Sequence, residues 1–107
     1  MEEKELYPTL VEKLNKDFSL EKKSLPAQLD LTYIRNHLIN RIRELMACDY
    51  QLFLNSLYRI DVSENKVREI LNSKDKTFIP EKLADIIIDR QLLRIRTQIL
   101  YKQSKSE

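Results

Sequence analysis

Apolar residues recur along this chain at three- and four-residue intervals, the spacing that gathers side chains on one face of an α-helix. The first such stretch predicts a helix over residues 8–18. Pro8 suits a first helical position, where its missing N–H costs nothing, and Tyr7, Leu10, Val11, Leu14 and Phe18 share a face. The next stretch, 19–30, is polar and contains Pro26, yet Leu20, Leu25 and Leu29 recur in it. It reads as a strap held against the domain rather than as a free linker.

A second helix is predicted over residues 31–47, with Asp30 placed to cap it and Leu29 and Ile34 spaced as a hydrophobic staple. Its apolar stripe is Leu31, Ile34, Leu38, Ile42, Leu45 and Met46, and its polar face carries Asn36, His37, Asn40, Arg43 and Glu44. A third helix follows at once, capped by Asp49, with Cys48 and Phe53 as a second staple and Tyr50, Phe53, Leu54 and Leu57 facing inward. A fourth starts at Ser63, where Val62 and Val67 repeat the device, and it buries Val67, Ile70 and Leu71. It ends at Asn72 and Ser73, where glycine is the usual stop.

The fifth and longest helix is predicted from Pro80 to about Gln103, with Glu81 and Asp85 near its start and Arg94, Arg96 and Lys102 towards its end, in agreement with the helix dipole. The run Ile86-Ile87-Ile88 resembles a strand, but the apolar periodicity continues for several turns without a breaker. This helix does not resolve into one stripe. Ile88, Leu92, Ile95 and Ile99 form a seam with 4-3-4 spacing, while Ile86, Leu93 and Leu100 form a second, spaced by sevens. Two stripes are compatible with a central helix wrapped by the others, with a helix that packs on a second subunit, or with a groove for a foreign helix. The 4-3-4 spacing is what a coiled-coil seam requires, so Ile88, Leu92, Ile95 and Ile99 are the expected interface of a homodimer.

The whole reads as a single-domain, all-α five-helix bundle with a long C-terminal helix. The expected layout is a peripheral first helix and strap over 1–30, core helices over 31–103 and a disordered tail over 104–107. Composition sharpens this picture in one respect: glycine is absent from all 107 residues. Gly-rich phosphate loops are thereby excluded, and tight hairpin turns are disfavoured, because both depend on positive φ. No apolar run approaches the length needed to span a bilayer, and the acidic start (Glu2, Glu3) is unlike a signal peptide, so a soluble, cytoplasmic protein is expected. A single cysteine, Cys48, fits a reducing compartment and excludes a Cys-rich zinc site. Net charge is only +2, but residues 90–107 carry 5 Lys and Arg against 1 Asp or Glu, a local excess of 4.

Enzymatic constellations are scarce, and no catalytic, cofactor-binding or metal-ligating residue is assigned. The one histidine, His37, lies on a polar face, and Cys48 reads as a small core residue without a base to activate it. Asp85 and Asp89, one turn apart, are expected to balance neighbouring arginines rather than to hold a cation. Residues 53–72 loosely resemble a helix-turn-helix, with Ile60, Val62, Val67 and Ile70 at its apolar positions and Lys66 and Arg68 as the alternative nucleic-acid contacts. Leu57, Asp61 and Ser56 depart from that motif, and Glu64 and Glu69 beside the two cations are poor for approaching phosphates.

The segment 50–98, notably LYRIDVSENKVREIL and LADIIIDRQLLRIRTQ, resembles a group of small uncharacterised bacterial helical proteins. That resemblance implies a bacterial origin and an all-α fold and brings no functional residue with it. The expected function is a non-enzymatic interaction or assembly module, with a second copy or another helical protein as partner. Nucleic acid is the less favoured alternative.

Overall fold

The computed structural model describes residues 3–18 and 30–105. A single 3-10 turn, Glu3–Leu6, leads into α1 (Tyr7–Phe18), followed by α2 (Leu31–Cys48), α3 (Tyr50–Arg59), α4 (Glu64–Leu71) and α5 (Ile79–Lys105), and no strand occurs among the described residues. The first helix therefore starts earlier than Pro8 suggests, and the last continues through two residues expected to be tail. The strap residues Leu20, Leu25 and Leu29, with the Leu29–Ile34 staple, lie outside the described residues.

Three helix starts are built as their sequence spacing predicts. Asp30 accepts from the Tyr33 N–H at 2.7 Å, Asp49 from Leu52 at 3.1 Å and Ser63 from Lys66 at 3.4 Å. Each satisfies a first-turn donor that has no partner inside its own helix. Asp49 serves two helices, because its own N–H closes α2 by donating to the Leu45 carbonyl at 2.8 Å. Without glycine, α4 ends on Asn72 in a right-handed conformation (φ −94°, ψ 5°), its N–H donating to the Arg68 carbonyl. The turn before α4 does need left-handed backbone, and Asp61 supplies it at φ 58°. Aspartate tolerates that region better than most residues other than glycine.

The core is assembled around α5, which packs on α2, α1 and α4. Its Leu83, Ala84, Ile87, Ile88, Leu92 and Ile95 are buried, together with the polar Gln91. At about 100° per residue these positions sweep roughly half the helix circumference. Such a broad arc suits a central helix and leaves only the side bearing Leu93 open.

The first helix buries the face its spacing predicts, Tyr7, Leu10, Val11, Leu14 and Phe18, and packs on α2, α3 and α5. Conversely α4, expected in the core, is a first correction, since it buries no residue; Val67, Ile70 and Leu71 are only half-covered. The physical reason is supply. The face of α1 carries five buried apolar side chains, each contributing about 1.5–3 kcal/mol when removed from water, whereas α4 has eight residues and three apolar ones to offer.

Cys48 is a second correction, since it is exposed at the end of α2 rather than in the core. Tyr50 is a third: it opens α3 on the outside, its ring tilted against Phe53 at 6.0 Å.

Candidate interaction surface

The expected interface seam is not available to a second molecule. Ile88, Leu92 and Ile95 are at most 4% exposed within a single chain, and Ile99 is half-buried against the same core. A residue already removed from water by its own fold has little apolar surface left to bury on association. The other stripe is the open one. Leu93 is 52% exposed and Leu100 65%, while Ile86 is half-covered. Residues seven apart drift only about 20° around a helix, so the three form one line with roughly 10 Å between neighbours.

This line borders a cleft between the start of α4 and α5. Ile86, Leu93 and Val62 give the cleft an apolar floor, and Asp61, Ser63, Glu64, Lys66, Asp89 and Arg90 form its rim, enclosing about 640 Å³. Val62 and Glu64 also belong to a second, more apolar groove of about 450 Å³ between α3 and α4. Leu57, Ile79, Met46 and Leu54 line its interior, with Tyr50, Tyr58, Val67 and Leu71 beside them and Arg68, Asn72 and Lys76 among its polar residues. The stripe borders the first concavity through Ile86 and Leu93, and the two concavities share Val62 and Glu64. Exposed apolar side chains grouped in this way commonly mark interaction sites.

The groove exists because α3 and α4 do not pack closely on each other; α4 rests on α5 instead. A helix-turn-helix depends on that mutual packing to aim its second helix. Leu57, whose size conflicts with a close crossing, is buried in the domain, and Ser56 turns inward to donate to the Leu52 carbonyl at 2.9 Å. Lys66 and Arg68, the alternative nucleic-acid contacts, are about 200° apart on α4 and line different concavities, with Glu64 in both. They do not form one cationic surface.

Two carboxylates of α5 are engaged by cations: Asp85 accepts from Arg35 at 2.6 Å and Glu81 pairs with Arg43. Asp61, ahead of α4, pairs with Arg90 of α5 at 3.2 Å. Asp85 and Asp89 thus face different surroundings and do not act as a pair. His37 is half-buried, its ring tilted against Tyr33 at 5.2 Å. No group of three or more His, Cys, Asp or Glu side chains suited to a metal comes together among the described residues. Among the described residues no helix is long and apolar enough to cross a membrane.

One residue of evident consequence escapes the periodicity. Gln91 sits on the polar side of α5 by its sequence neighbours, Arg90 and Arg94, yet it is 1% exposed. The only sequence signal is its place one turn after Ile87 and one before Ile95, both buried. Its Nε2 donates to Asp17 Oδ2 at 2.9 Å, and its Oε1 has no partner among the described residues. Burial raises the Asp17 carboxyl above its ordinary 3.8, opposed by the Gln91 hydrogen bond and then by Arg94, Lys16 and Arg59.

Comparisons with protein-family models, with curated proteins and with solved structures return no match to this chain.

Proposed function

We propose that this protein is a non-enzymatic assembly module that pairs with a second copy of itself through the outer face of α5. The exposure of Leu93 and Leu100, one heptad apart and in line with Ile86, carries the reading. The pairing is antiparallel about Leu93. In that arrangement Leu93 meets its own counterpart, and Leu100 of each copy enters the other's cleft beside Ile86 and Val62.

Charge favours this occupant over a foreign helix. On the side of α5 that carries Leu93, the acidic Asp89 precedes the crossing point and the basic Arg96 follows it. Two such helices running in opposite directions set each acidic position beside a basic one, and a parallel pair sets like beside like. A two-fold axis satisfies both ends at once, as self-association through one patch requires.

Sedimentation equilibrium at micromolar concentration tests this directly. The native chain is expected at twice the monomer mass, and the double variant Leu93→Glu, Leu100→Glu at the monomer mass with unchanged helical circular dichroism. Both side chains are already half in water, so the variant retains its core. A native chain that stays monomeric, or a variant that stays dimeric, removes the proposal.

A further inference from the structure

A second site lies nearly half a turn around α5 from Leu93, in a notch where α1, the end of α3 and α5 converge. Lys13, Lys16, Asp17, Arg59, Gln91 and Arg94 line it around about 280 Å³. Four cations therefore face one carboxylate. Among the described residues Lys13, Lys16 and Arg59 close no salt bridge, and Arg94 reaches only the Ile60 carbonyl, at 3.5 Å. Such a concentration of one charge in a concave, partly desolvated place creates a strong local field for an anion.

An unsatisfied acceptor lies at the base of the notch. Gln91 is 1% exposed, its amide nitrogen is held by Asp17, and among the described residues its amide oxygen accepts from none. A buried polar atom without a partner is costly, and native proteins retain few of them. Here the missing partner is a donor, and the surrounding charge asks for an anion. A simple anion meets only the second demand. A molecule carrying both a phosphate and a hydroxyl or N–H meets both, and Arg59 and Arg94 supply the forked donors that suit phosphate oxygens.

We infer that this notch binds a phosphorylated small molecule bearing a hydroxyl or amine, its phosphate held by Lys13, Lys16, Arg59 and Arg94 and its donor reaching Gln91 Oε1 as the side chains over that atom move aside. The site is independent of the pairing face of α5, and neither reading requires the other.

Amide and side-chain NMR titrations of the full chain with inorganic phosphate, ribose and ribose 5-phosphate test it. Ribose 5-phosphate is expected to shift the signals of residues 13–17, 59–60 and 91–94, and to bind about tenfold more tightly than phosphate, the worth of one added buried hydrogen bond. Ribose alone is expected to leave those signals in place. Lys16→Gln with Arg59→Gln, both exposed, weakens the two phosphates about tenfold or more. Gln91→Met, which keeps the side-chain volume, leaves phosphate binding in place and removes the preference for the sugar phosphate. Absence of shifts at these residues, equal affinity for the two phosphates, a preference that survives Gln91→Met, or a single-stranded oligonucleotide that outcompetes ribose 5-phosphate would each overturn the inference.

Discussion

The amide of Gln91 and the carboxylate of Asp17, 74 positions apart in sequence, meet at 2.9 Å and tie α5 to α1 through a part-buried polar contact at the edge of the apolar core. The contact is incomplete on the Gln91 side, where Oε1 has no donor among the described residues, and unfavourable on the Asp17 side, where burial opposes the charge. Both defects point to the same experiments.

The folded-state pKa of Asp17 lies above its unfolded value, with burial the largest cause. The stability linked to this group is fully present below the unfolded value and is lost as pH rises through the folded one. Asp17→Asn removes that loss and sets an N–H donor beside the Gln91 amide. At neutral pH the variant is expected to be more stable than the native chain by about 0.5–1.5 kcal/mol, with a flatter stability profile between acid and neutral pH. Urea denaturation at several pH values measures both; a less stable variant at neutral pH contradicts the account.

Asp61 combines a left-handed backbone with an exposed ion pair to Arg90, and two substitutions separate the contributions. Asp61→Asn keeps a side chain that tolerates positive φ, and its loss of the surface pair costs less than about 1 kcal/mol. Asp61→Ala adds a backbone penalty of about 1–2 kcal/mol. Thermal melts of the two variants should therefore differ, with the alanine lower.

At the junction of α2 and α3, Asp49 leaves little slack, because one residue ends the first helix and starts the second. Asp49→Ala is expected to cost about 1–2 kcal/mol through the lost cap on Leu52, since the backbone donor to Leu45 survives the change. Equilibrium unfolding checks this value, and Asp49→Ser should recover most of it.

Stability is distributed unevenly between α1 and α4. Leu14→Ala, in a fully buried position on α1, is expected to cost about 2–5 kcal/mol, and Val67→Ala, on the half-covered α4, clearly less. Hydrogen exchange should agree. The α4 amides should exchange through local opening well before those of α1 and the middle of α5.

Much of this protein was legible from local sequence because the relevant physics is local. The helix starts at Asp30, Asp49 and Ser63 each follow from a side-chain oxygen within three residues of an orphaned donor, and the stripe of α2 from repetition at 3.6 residues per turn. The two apolar stripes of α5 were equally visible. Which stripe belongs to the core depends on where α1, α2 and α4 come to lie, and no periodicity within α5 carries that information. Once α1 and α2 wrap the Leu92 side, Leu93 and Leu100 are left as the outer face, Gln91 is enclosed beside Asp17, and Lys13, Lys16, Arg59 and Arg94 converge from three helices. Sequence determined the helices and their caps through contacts a few residues apart. Tertiary packing alone decided the exposed face of α5, the buried amide and the cationic notch, because burial is a property of what surrounds a side chain rather than of its own helix.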